Sequence, residues 1–171
     1  MSERREPKLS GAPRGFTLIE VTMATLIAGL LLVTAMNTLG SSTRSQRHNA
    51  QRAQAALLGA ALLNEIMALP YSDPEGGTGL GRDTGEGSSD RADFDDVDDY
   101  LFWSDSPIED KQGNTLASGA GMSRLVWVLY ADPDDLDYLT VSTPTGVKRI
   151  WVRVIDSAGT EHWHTGLVTE H

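Results

Sequence analysis

Four groups of residues in this 171-residue chain are of types that could do chemistry. Glu20 places a lone carboxylate one turn into an apolar run that extends from Phe16 to about Met36. A charged side chain at membrane depth costs roughly 3 kcal/mol on insertion scales, so such a group is expected to have a function and a partner. Asp93, Asp95, Asp96, Asp98 and Asp99 offer hard oxygens of the kind Ca²⁺ takes, and Asp95, Asp96, Asp98 and Asp99 are the candidate ligands. Their spacing lacks the alternating ligands and the glycine of a known calcium loop, and a solvated acidic turn accounts for them equally well. His162 and His164, two apart, would share one strand face in a geometry that can grip Zn²⁺. No third ligand is evident, and the pair reads as a polar sheet face beside Trp163. Gly77-Thr78-Gly79-Leu80-Gly81 superficially matches a phosphate-cradling loop, yet no strand precedes it and no helix pattern follows, so it reads as a flexible loop.

Composition removes several function classes. The 24 Asp and Glu outnumber the 14 Lys and Arg, which argues against a nucleic-acid partner because phosphate binding relies on clustered basic groups. There is no cysteine, hence no disulfide, thiolate metal site or cysteine nucleophile. No nucleophile elbow, no His-Glu-x-x-His and no persuasive acid/base pair is present, so an enzyme is not expected.

The elements that must position these residues follow from patterning. Residues 1–15 are polar and net positive, with two prolines, and read as a leader. Phe16 to Met36 is about 20 residues, which at 1.5 Å per residue matches a hydrocarbon core of about 30 Å. Threonines 22 and 25 can bond back to helix carbonyls there, and Gly29 permits close helix contact. No proline interrupts Phe16 to Leu69, and Ala55, Leu58, Leu62, Ile66 and Leu69 form a stripe at helical spacing. One helix is therefore expected over residues 16–69, membrane-spanning over 16–36 and amphipathic over 37–69, stopped by Pro70. Residues 70–123 form an acidic, Gly/Ser-rich loop region; within it Phe94, Val97, Tyr100 and Trp103 recur every third residue as anchors to a core, with the neighbouring carboxylates pointing outward. Residues 124–171 read as strands at Arg124–Ala131, Tyr138–Ser142, Val147–Ile155 and His162–Val168. Ile150, Val152 and Val154 alternate with Arg149, Trp151 and Arg153, as in a sheet with one covered and one wet face. The expected fold is α+β: a long N-terminal helix packed by its second half on a small C-terminal antiparallel sheet.

Gly15-Phe16-Thr17-Leu18-Ile19-Glu20-Val21 resembles the class III signal of type IV pilins and of type II secretion pseudopilins. The resemblance implies that a prepilin peptidase cuts between Gly15 and Phe16 and that the new Phe16 amine is N-methylated. It implies that Glu20 of one subunit neutralises the Phe16 amine of its neighbour in a filament. It further implies a leader in the cytoplasm, a single pass through the bacterial inner membrane and a periplasmic C-terminal domain. The implied partners are other pilin or pseudopilin subunits, an inner-membrane assembly platform and membrane lipid. Major pilins often close their C-terminal region with a disulfide, which this chain, without cysteine, does not have, so it is more similar to a minor pilin or pseudopilin; many also carry a proline after the span, where this chain has Asn37, so local melting of the helix on assembly is not implied. The expected function is a structural subunit of a pilus or pseudopilus. The alternative is a membrane-anchored binding protein that does not polymerise.

Overall fold

The computed structural model describes residues 15–74, 76, 79–82, 91–140 and 143–170. The chain is α+β: one long N-terminal helix, α1 (Leu18–Met67), packs on a small antiparallel sheet of β1 (Ser104–Asp105), β2 (Ser123–Ala131), β3 (Leu139–Thr140), β4 (Val147–Ile155) and β5 (Glu161–Thr169). It divides into two units, Met1–Ser45 and Gln46–His171.

In the first unit α1 begins where Thr17 caps it: the Glu20 N–H lies 3.1 Å from the Thr17 carbonyl and 3.3 Å from its hydroxyl. Apolar residues occur all around this part of the helix, and every residue from Gly15 to Ala50 is exposed. The threonines return their hydroxyls to the helix backbone, Thr22 to Ile19 at 2.9 Å and Thr25 to Val21 at 3.0 Å, so their polar atoms are satisfied within the helix. This is the one helix among the described residues long and apolar enough to cross a membrane.

In the second unit α1 keeps a single buried stripe, Ala55, Gly59, Leu62 and Ile66, with Leu58, Leu63 and Leu69 half-buried beside it. The stripe lies on the inner sheet face, where Val126, Val128, Ile150, Val152 and Val154 are all buried. β2 pairs with β4 from Ser123 to Tyr130 and β4 pairs with β5 along its whole length, with Trp127 opposite Trp151 and Trp151 opposite Thr165. Alternate residues of β4 therefore face helix and solvent, as the Ile/Val against Arg/Trp alternation requires. Two glycines set how closely α1 approaches. A Cβ on Gly59 would run into the His164 imidazole and lie 2.9 Å from Val154 Cγ2, and one on Gly166 would lie 2.7 Å from Met67 Sδ.

Between helix and sheet, Phe94, Val97, Tyr100, Trp103 and Ile108 enter the core as anchors, with Phe94 and Tyr100 edge to face at 4.9 Å between ring centres. The neighbouring carboxylates correct one expectation. Asp95 is exposed, but Asp96, Asp98 and Asp99 turn inward and are buried. The reason is hydrogen-bond satisfaction. The chain turns tightly at Asp98–Tyr100; the Asp96 and Asp99 side chains accept backbone N–H groups that the turn leaves without helical or sheet partners, and Asp98 meets the Lys148 ammonium. A second correction concerns β5. His162 and His164 do share a face, but it is the half-buried face toward α1, and Trp163 lies on the opposite, exposed one. The outer strand β1 was also not apparent from patterning, since two residues cannot show an alternation.

Gly59→Ala should destabilise the domain by about 1–3 kcal/mol through overpacking, outweighing the roughly 1 kcal/mol that alanine gains as a helix former. Denaturant unfolding of wild type and variant checks this, and equal or greater stability of the variant would count against the close helix–sheet contact.

Candidate functional site

Three places carry the residue types singled out above, and the first is the start of α1. Gly15 and Phe16 precede the helix, with Phe16 81% exposed and nothing within 4 Å of where a Gly15 Cβ would sit. Glu20 occupies the first turn, where a carboxylate complements the exposed N–H groups of a helix start. No described residue supplies a cation to its side chain.

The second place is the acidic loop. Asp96 Oδ1 accepts the N–H groups of Asp98 at 2.8 Å and Asp99 at 3.2 Å, while Asp99 Oδ2 accepts those of Asp95 at 2.9 Å and Asp96 at 3.1 Å. Asp98 takes a different partner, the ammonium of Lys148, which extends inward from β4 and also donates to the Tyr71 carbonyl just past the end of α1. The ammonium lies 4.3 Å from the centre of the Tyr71 ring, a cation–π contact. Among the described residues no three His, Asp or Glu side chains are grouped so as to hold a metal ion. Of the four carboxylates offered as calcium ligands, those of Asp96 and Asp99 accept backbone amides, that of Asp98 meets a lysine of the same chain, and Asp95 is exposed. Burial pushes the Asp96 carboxyl up to about 8, helped by the charge of Asp98 beside it. Burial likewise pushes the Tyr71 hydroxyl up to about 12.

The third is the inner face of β5. His162 Nε2 lies 3.1 Å from Asp156 Oδ2, and Asp156 is held below the usual carboxylate range chiefly by the Thr160 N–H, with His162 adding to this. His164 sits under Gly59 and burial lowers its pKa, with the nearby His162 acting in the same direction. The two imidazoles therefore serve a turn and a helix contact, and no third metal donor joins them among the described residues.

Other functional groups were not apparent from the sequence. Buried Arg91 and Tyr100 meet half-buried Glu65, with Arg91 Nε 3.3 Å from Glu65 Oε1 and Tyr100 donating to the same oxygen at 2.8 Å. Arg124 on β2 donates to Asp105 Oδ1 at 3.1 Å and to the Glu109 carbonyl at 2.7 Å, fastening β1 to the sheet. On the outer face Trp127 and Trp163 stack at 5.5 Å, with the Arg153 guanidinium 5.2 Å from the Trp127 ring centre. Of the glycine loop 77–81, residues 77 and 78 lie outside the described residues, and Leu80 packs half-buried against the core. Comparison with family models, with curated proteins and with solved structures finds no match to this chain.

Lys148→Met should cost about 3–5 kcal/mol, because it strands Asp98 as an unpaired buried charge. Equilibrium unfolding reads this directly. A pH prediction follows from Asp96. The folded chain keeps its proton up to about pH 8, whereas an unfolded Asp loses it near pH 4, so this group's stabilising contribution is full below about 4 and declines as pH rises toward 8. Asp96→Asn, which keeps an oxygen for the two amides, should therefore gain stability relative to wild type between pH 5 and 8; a difference that does not change with pH would refute the assignment.

Proposed function

We propose that the chain is a membrane-anchored structural subunit, cut between Gly15 and Phe16 by a prepilin-type peptidase and assembled through α1 into a pilus or pseudopilus. The reading is carried by one juxtaposition: the motif from Gly15 to Val21 stands immediately ahead of a helical stretch whose large apolar side chains, including Leu26, Leu30 and Val33, are exposed. Exposed leucine, isoleucine and valine on every side of a helix require a nonaqueous environment, because each is worth about 1.5–3 kcal/mol when removed from water. Lipid meets that need before assembly, and the helices of neighbouring subunits meet it afterwards.

In this reading Glu20 and Phe16 act between subunits. Cutting after Gly15 leaves an ammonium at Phe16, in a medium where an isolated charge is costly. Staggered helices would bring the amine of one chain to Glu20 of the next. Each charge then regains by pairing part of what it lost in solvation, and the pair fixes the register of the helices. N-methylation of the amine retains its positive charge and so is compatible with the pairing. The expected place of the protein is the bacterial inner membrane, leader inside and folded domain outside, in company with an assembly platform and other subunits.

Glu20→Ala should leave cleavage largely intact while abolishing incorporation into filaments. Immunoblots of sheared filament and membrane fractions check both halves, and normal incorporation of the variant would overturn the assigned role.

A further inference from the structure

The sheet has two unlike edges. On one side, among the described residues, β2 is flanked only by β1 and β3, of two residues each, the kind of interrupted edge that deters further strand pairing. On the other side β5 is nine residues long, pairs with β4 throughout and, among the described residues, ends the sheet. From His162 to Thr169 it contains no Lys, Arg, Asp, Glu or Pro, and so lacks the residues that usually blunt such an edge.

Backbone hydrogen bonds give the orientation of this edge. The Glu170 N–H donates to the Gly146 carbonyl at 3.0 Å, and at the other end the Asp156 N–H donates to the Thr160 carbonyl at 2.9 Å. Bonding alternates along an antiparallel pair, so the even-numbered residues of β5 bond β4. Trp163, Thr165 and Leu167 therefore turn their N–H and C=O groups to the free edge. The same odd-numbered residues present their side chains on the exposed outer face. Two clefts of about 440 Å³ each open on that face to either side of Thr165, one walled by Trp151 and Trp163, the other by Leu136, Arg149 and Leu167. Alternate residues of a strand are about 6.6 Å apart and point to the same side, so one added strand could address both clefts.

We propose that the β5 edge is a strand-addition site for an extended segment of a partner protein, with bulky apolar side chains at two alternate positions and no charge between them. Main-chain pairing to Trp163, Thr165 and Leu167 supplies affinity, and the two clefts supply selectivity. The absence of charge follows from the outer face itself. Its arginines already have counterions, Arg149 with Asp137 at 2.8 Å and Arg153 with Glu161 at 3.1 Å, leaving no spare charge to attract an acidic segment. A second copy pairing its own β5 about Thr165 would carry its packed helix in the opposite direction. Chains inserted the same way through one membrane do not meet like that, a step that rests on the proposed anchorage.

The test uses the full chain in lipid nanodiscs and a fluorescein-labelled nine-residue peptide of alternating Thr and Leu with one central Trp. Saturable binding is expected, read by fluorescence anisotropy. Two versions of the peptide, N-methylated on alternate sets of amides, should separate: one loses binding by about tenfold or more and the other keeps it, because only one set faces β5. Thr165→Pro removes only an outward N–H and should abolish binding while keeping the melting temperature within a few degrees; Thr165→Lys serves the same purpose should the proline variant misfold. No binding, equal loss with both methylated peptides, or binding that survives both Thr165 variants overturns the proposal. The chain has no native cysteine, so Thr165→Cys reports self-pairing directly, and an efficient disulfide dimer would assign the edge to a second copy instead. Peptide binding is read independently of leader cleavage, so failure here and failure of the anchorage reading are distinguishable.

Discussion

A buried ammonium constrains much of the folded domain. Lys148 lies on the inner face of β4, in register with Ile150, Val152 and Val154, and is only 1% exposed. An unpaired charge there would be prohibitive, so the fold must bring acceptors to it. It brings Asp98 from the acidic loop and the Tyr71 carbonyl from the exit of α1, which joins three separate parts of the chain at one atom. The Val97 N–H donates to the Pro70 carbonyl at 3.2 Å and closes the same junction. The inward turn of the acidic loop follows from this. A run of aspartates that composition would send to solvent is drawn under the sheet because a cation, a tight turn and several free amides are already there to receive it.

How far the architecture could be read beforehand depended on periodicity. The stripe Ala55, Leu58, Leu62, Ile66 has the helical period and the β4 alternation has the strand period, and together they define a helix on a half-covered sheet. Lys148 has the same parity as the valines of β4, yet polarity alone would assign it to water; only its partners, fifty and seventy-seven residues distant, reverse that. The Asp96 and Asp99 contacts are local but depend on a turn whose backbone geometry no side-chain pattern announces. Gly59 is a similar case. A glycine inside a helix is a weak signal, and its reason, the His164 ring beneath it, lies on the last strand. At the N-terminus the balance is reversed. Gly15, Phe16 and Glu20 were legible as a motif, and their geometry adds the helix start and the exposure around it.

The two parts of α1 meet different surroundings. The part from Gln46 onward has one apolar stripe and buries it on the sheet of its own chain. Before it, the stretch from Leu18 to Met36 is apolar on all sides and exposed throughout. The hydrophobic effect therefore completes the fold of the domain in the first case and, in the proposed reading, would provide for membrane residence and assembly in the second. In such a helix Glu20 is the exception that needs a countercharge, and a freed amine at Phe16 is the group that the proposed cut would create.

The most direct measurement of this account is the intact mass of the chain recovered from membranes of cells that also express a prepilin peptidase. The account predicts a mature chain that begins at Phe16, lacks residues 1–15 and carries one added methyl group. Recovery of the chain still beginning at Met1, with the peptidase shown to be active on another substrate in the same cells, would contradict it.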